Sequence, residues 1–167
     1  IGIREGFLEE YADRLKYVEG DVELAPGVYL LPHKTEGLEK LGEKAHMYRE
    51  AEGLWSPDAF THEQSLVFDT SRGLVIFNSC SHGGADNIIR EVGETFPEKP
   101  IYALFGGLHL HESADEDVRA LAERVRRTGI RKIYTGHCTG DRALEILKEE
   151  LGDTVEAIYS GFTVDDM

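Results

Sequence analysis

No stretch of this chain is apolar enough, for long enough, to cross a bilayer, and its start lacks the layout of a secretory signal. Basic residues are scarce: 18 Lys and Arg stand against 32 Asp and Glu, a formal net charge of −14. A surface that neutralises phosphates needs clustered Lys and Arg, so nucleic acid is excluded as a general partner, and the acidity reads as solubility. Cysteine is confined to Cys80 and Cys138, too few for an extracellular disulfide framework. Both stand near histidines, which points to a reducing, cytoplasmic setting. Several signatures of chemistry are missing as well: no G-x-S-x-G nucleophile elbow, P-loop, G-x-G-x-x-G fingerprint or C-x-x-C pair occurs. The run "HCTGDR" offers His137, Cys138 and Arg142, but its Cys–Arg spacing is too short to wrap a phosphate as a Cys-phosphatase loop does. The initiator methionine is lacking too. The chain opens at Ile1 on residues that already read as a helix, as a processed protein or a piece of a longer one would.

What is there suits one α/β domain over residues 1–167, with 41% hydrophobic and 30% charged residues. Leu8, Tyr11, Leu15 and Val18 predict an amphipathic helix over 5–18. "PGVYLLP" follows as a short strand, and 33–62 reads as a long irregular loop or cap with a short helix in it. From Gln64 onward the order is regular. "SLVFD" and "LVIFNSC" form a hairpin across "TSRG". "ADNIIREVGETF" is a helix, "IYALFGG" a strand and "SADEDVRALAERVRRTG" a helix, with Ser113 and Glu116 as a capping box and Gly129 as its stop. "IRKIYTG", "DRALEILKEELG" and "VEAIYSG" give strand, helix, strand. Alternation of this kind implies crossover connections and a largely parallel sheet backed by helices.

One arrangement recurs three times. "GLVIFNSCSHGG", "IYALFGGLHLH" and "KIYTGHCTGD" each run a short apolar strand into glycine and histidine. Ligands gather beyond the carboxyl ends of strands in such sheets, so His82, His109 and His137 are expected in one crevice. The glycines beside them permit tight turns and close backbone approach. Imidazole and thiolate suit zinc and similar divalent ions, so His82 and His137, with Cys80 or His109, are the candidate metal ligands. His33, His46 and His62 read as surface residues, with His62 and Glu63 as the outside candidates for the site. Thr139, Gly140 and Arg142, around the start of the helix at Asp141, are candidates to hold a phosphate or carboxylate.

The blocks "SLVFDTSRGLVIFNSCSHGGADNII", "IYALFGGLHL" and "IYTGHCTGDRA" resemble the metallo-β-lactamase superfamily. More narrowly, they resemble its dihydropterin ribofuranosylaminobenzene phosphate synthase-like branch of metal-dependent hydrolases. The resemblance implies a four-layer αβ/βα sandwich of two mixed sheets between helices. It implies metal ligation by His82 and His137, with Cys80 near a bridging carboxylate's usual place and His109 lining the pocket. It also implies an H-x-H-x-D-H cluster in the first half, which this sequence lacks, so the chain reads as the C-terminal portion of a longer enzyme. The expected activity is metal-dependent hydrolysis or group transfer on a phosphorylated or otherwise anionic small molecule. One or two divalent ions, zinc foremost and iron or manganese as substitutes, would serve it. The expected partners are a missing N-terminal segment or a second copy of the chain. The alternatives are a noncatalytic half-domain that completes its site with a partner chain, and a metal-free phosphate-binding domain.

Overall fold

Three antiparallel and three parallel pairings organise the main sheet, and the computed structural model describes residues 3–165. The strands are β1 (Val22–Ala25), β2 (Val28–Pro32), β3 (Tyr48–Ala51), β4 (Leu54–Pro57), β5 (Gln64–Thr70), β6 (Gly73–Phe77), β7 (Ile101–Phe105), β8 (Lys132–Thr135) and β9 (Val155–Ala157). The helices are α1 (Phe7–Glu10), α2 (Glu39–Lys44), α3 (Ala85–Thr95), α4 (Asp115–Thr128) and α5 (Asp141–Leu151). Seven strands form one mixed sheet in the order β1-β2-β5-β6-β7-β8-β9, and β3 and β4 pair separately as a hairpin. Pairing is antiparallel from β1 to β6 and parallel from β6 to β9. No described helix is long and apolar enough to cross a membrane.

The order β6-β7-β8-β9 advances in one direction, so crossovers of a single hand put α3, α4 and α5 on one face. Burial follows the periods of strand and helix. Leu74 and Ile76 of β6, Leu104 of β7 and Ile133 of β8 meet Ile89 of α3, Val125 of α4 and Ile146 of α5 in the main core. The alternate residues Val75, Ala103 and Tyr134 face the other way. There Phe68, Phe77, Phe105 and Tyr134 form a chain of aromatic contacts with centroids 4.4 to 5.6 Å apart. Ile158, Phe162 and Val164 cover part of this face, and Phe77 is 37% exposed. One sheet with helices on one side and an open aromatic face on the other corresponds to half of the expected four-layer sandwich.

Three local expectations are corrected. The predicted helix over 5–18 shortens to α1 and a 3-10 turn at Ala12–Arg14, and neither buries a residue. Leu8 and Leu15 stay 43% and 37% exposed, because the stripe meets no core, and a short helix without a packing surface does not persist. The capping box fails because Ala114, not Ser113, occupies the N-cap of α4, with Asp115, Glu116 and Asp117 favouring its N-terminus instead. The sheet is mixed rather than largely parallel. Region 33–62 does hold a short helix, and the β3–β4 hairpin adds order that its sequence does not announce.

Burial separates the two ends of the chain energetically. Combined Leu8→Ala and Leu15→Ala substitution is expected to change stability by less than about 0.5 kcal/mol. Ile146→Ala, at a fully buried position, is expected to cost about 2–5 kcal/mol. Urea denaturation of the purified variants checks both, and a large loss from the N-terminal pair would place that stripe in a core.

Candidate metal centre

Phe77, Phe105 and Tyr134 lie in one row across β6, β7 and β8, so the turns that follow all leave the same edge. The turns are then laced together. Asn78 N–H donates to Phe105 O at 3.0 Å, Gly106 N–H to Tyr134 O at 3.1 Å and Gly107 N–H to Ser79 O at 2.7 Å. A Cβ on Gly106 would collide with Asn78 O, so this crossing of turns requires glycine. Ser81, His109 and His137 all adopt left-handed backbone, with φ of 52°, 50° and 53°. Non-glycine residues pay for that conformation, and such strain clusters where side chains must be aimed.

The predicted ligands arrive as two groups. Cys80 and His137 come together with Cys138, their donor atoms all within 4.8 Å of one another; among the described residues this is the one such group of three. His82 and His109 meet edge to face with ring centroids 4.5 Å apart, and His111 lies 5.1 Å beyond His109. Cys138 joins the groups, for its sulfur accepts the His109 N–H at 3.3 Å and its carbonyl accepts those of Leu110 and His111 at 3.0 and 3.2 Å.

The donor chemistry fits a soft or borderline cation. Both cysteines are free thiols. Burial, and then the neighbouring Cys138, push the Cys80 thiol up to about 11, so a positive ion is what would allow it to ionise. His109 Nδ1 is buried without a hydrogen-bond partner. Burial first, then the charges of His82 and His111, hold His109 below its usual pKa and keep it neutral, the form that ligates metals.

The antiparallel half supplies the support. Pro32 of β2 opposes Gln64 of β5, so His33 and Glu63, the next residues outward, reach the same edge as the turn after β6. The Glu63 carboxylate accepts from His33 Nε2 at 2.8 Å and from the backbone N–H groups of His82 and Gly83, each at 3.0 Å. His82 Nδ1 lies 3.1 Å from the same carboxylate. Phe60, itself left-handed and buried, stacks on the His82 ring at 5.6 Å. His33 Nδ1 meets Glu91 at 3.0 Å, and Glu91 also accepts from Lys34 N–H, Thr35 N–H and the Thr35 hydroxyl. His33, expected at the surface, is therefore buried between two carboxylates. Burial alone would lower its pKa, but the hydrogen bonds from Glu63 and then Glu91 outweigh it and raise the ring to about 9.

The expected anion contacts are otherwise engaged. The Thr139 hydroxyl is buried, bonded to Thr135 at 2.6 Å and to Leu108 N–H at 3.0 Å. Arg142 pairs with Asp115 and Glu145 on the surface, and Gly140 packs against the His111 backbone. Beside the imidazoles opens a cavity of about 910 Å³, with His82, His109 and His111 on one wall and Leu38, Leu41 and Lys40 on another. Lys44 of α2 reaches Asp117 of α4 at 2.7 Å and pins this cap in place. Sequence reasoning overlooked Glu91, although a glutamate three residues after Ile88 falls on the helix's apolar arc, and that misplaced charge was the available signal. His46 and His62 stand apart from the clusters; His62 Nδ1 lies 3.8 Å from Asp58.

Comparison with known proteins bears on the fold. No family model matches the chain. A 7,8-dihydropterin-6-methyl-4-(beta-D-ribofuranosyl)-aminobenzene-5'-phosphate synthase of Methanocaldococcus jannaschii is 28% identical over 158 residues, spanning 92% of this chain and 53% of the relative. The crystal structure of Tm1679, a metal-dependent hydrolase of the beta-lactamase superfamily, superposes with a TM-score of 0.74 at 30% identity. That match covers 90% of this chain and 58% of the other. The chain thus spans between half and two thirds of the proteins it matches.

His33→Ala would leave two buried carboxylates without their shared counter-charge, an expected cost of about 3–5 kcal/mol. The sign of the pH effect follows from the shifts. The His33 contribution is complete below 6.5 and is lost as pH rises through about 9. Glu91, lowered to about 2 despite burial because His33 and Thr35 donate to it, contributes above 4.5 and loses that contribution as pH falls. Urea midpoints from pH 4 to 10 should therefore show an alkaline decline in the parent chain that His33→Ala flattens; an unchanged decline would refute the assignment.

Proposed function

Given the metallo-β-lactamase superfamily fold of this chain and its likeness to the dihydropterin synthase branch, we propose that it carries part of a metal-dependent centre for hydrolysis or group transfer. The observation that carries this reading is the meeting of Cys80, His137 and Cys138 within 4.8 Å, beside a neutral His109 whose Nδ1 lacks a partner. Cys80 and His137 would hold a divalent ion with Cys138 at hand, and His82 and His109 would serve from the neighbouring turn. Two sulfurs and an imidazole favour zinc over harder ions. When bound, the metal would polarise a substrate oxygen and acidify a water.

The chain's own residues do the rest. Glu63 and Phe60 fix the plane of His82, and the laced turns keep the imidazoles from rearranging. Leu38, Lys40 and Leu41 at α2 wall the cavity on one side. Its leucines suit a ring, and Lys40 and His111 suit an anion, in keeping with the phosphate named in the product of the synthase relative. A phosphorylated small molecule with an apolar portion is the substrate class we propose. The free thiols favour a reducing, cytoplasmic setting. The aromatic face around Phe77 and Phe105 would take the remaining polypeptide of the centre, supplied by a longer protein or by a second copy.

Cobalt(II) added to the metal-free chain tests this. A thiolate-to-cobalt absorption band is expected, reduced by Cys80→Ser, abolished by Cys80→Ser with Cys138→Ser, and weakened at least about tenfold in affinity by His137→Ala. Absence of the band, or its survival in the double cysteine variant, would sink the proposal.

A further inference from the structure

The buried chain of groups behind His82 has a direction. Lys34 N–H, Thr35 N–H and the Thr35 hydroxyl converge on Glu91 Oε1 at 2.9, 2.8 and 2.5 Å. The other oxygen, Oε2, meets His33 Nδ1, and the opposite ring nitrogen meets Glu63 Oε2. Glu63 Oε1 then faces His82, through the backbone N–H at 3.0 Å and Nδ1 at 3.1 Å. The side chains of His33, Glu63 and Glu91 are only 5–6% exposed, so the links among these three are shut off from bulk water. The His33 ring also lies directly beneath the turn, since a Cβ on Gly83 would overlap its Nε2. Four elements are thus coupled: the exit of β2, the helix α3, the entry to β5, and the turn after β6 that carries His82.

We propose that His33 is a positioning residue for His82: clamped between Glu91 and Glu63, it orients the Glu63 carboxylate so that Oε1 holds the His82 Nδ1–H and leaves Nε2 as the free nitrogen. A carboxylate can accept from a histidine only at the nitrogen that bears hydrogen, so the orientation of Glu63 selects the tautomer. Without the clamp, Glu63 keeps one backbone N–H on each oxygen, from His82 and Gly83, but its buried side chain loses the imidazolium that packs behind Oε2, and the distance from Oε1 to His82 Nδ1 is no longer held. His82 then samples both tautomers, and its Nε2–H form presents an N–H where a lone pair is needed. The proposal rests on the reading of His82 as part of a metal centre, but its first consequence is visible in the metal-free chain.

Long-range proton–nitrogen NMR of histidine-labelled, metal-free protein reads the tautomer directly. In the parent chain His82 is expected as the Nδ1–H form with an unprotonated Nε2, and His33 with hydrogen on both nitrogens. His33→Gln, whose amide cannot span both carboxylates, should give His82 signals of mixed tautomers. Glu91→Gln loosens the clamp from its far end with little change of shape and is expected to do the same, more weakly; it also decides the matter should His33→Gln not fold. In cobalt titrations both variants should bind more weakly, by about 10- to 100-fold for His33→Gln. An Nε2–H form of His82 in the parent, or an unchanged Nδ1–H form in the folded variant, overturns the positioning role. Absence of cobalt binding in the parent, with the tautomers as expected, overturns the metal centre and leaves the clamp standing.

Discussion

The common row in which β6, β7 and β8 end is the constraint on which the rest of the molecule depends. Three parallel strands stop level with one another, so three turns emerge side by side and must cross at close quarters. Backbone hydrogen bonds between the turns satisfy the polar groups that such crowding would otherwise strand. The left-handed conformations of Ser81, His109 and His137 persist because these bonds and the sheet beneath over-determine them. The antiparallel half answers from the other direction. Its strands run against β6, which is why the exit of β2 and the entry to β5 bring His33 and Glu63 to the same edge.

Much of this was legible in the sequence, and for a physical reason. The core helices α3, α4 and α5 repeat apolar residues at helical spacing, and β5 through β8 have strand composition bounded by turn residues, so local pattern and global fold agree. The strand-glycine-histidine repeats marked the edge where His82, His109 and His137 emerge, because parallel topology ties their position to the strand ends. What stayed hidden depended on partners distant in the chain. His33 looks like any surface histidine until Glu63 and Glu91 close on it from different elements. Cys138 was weighed as a phosphatase nucleophile, whereas its sulfur serves His109 and approaches Cys80. The N-terminal stripe misled because periodicity reports a capacity to bury a face, and the described structure offers that face nothing to lie against. The Thr139 hydroxyl and the Arg142 guanidinium already have partners in the fold, which a helix start, marking available N–H groups, does not reveal.

The electrostatics of the centre run against those of the chain. A protein with a net charge of −14 places a neutral His109, two thiols and one clamped imidazolium at this edge, and lets two buried carboxylates share that imidazolium. The shortfall of positive charge sits next to the donors best suited to a cation. Of the basic groups that line the nearby cavity, Lys44 and Arg124 are already paired with Asp117 and Asp86. The site is thus electrostatically prepared for an ion rather than already balanced.

The absence of a side chain at Gly83 has a consequence for how such sequences can change. Any side chain entering there must displace a ring anchored at both ends, whereas a smaller residue at 33 would vacate the space. The two positions, far apart in the chain, therefore share a single volume. A chain with a small residue at 33 would have room for a side chain at 83, and one with the imidazole there would not.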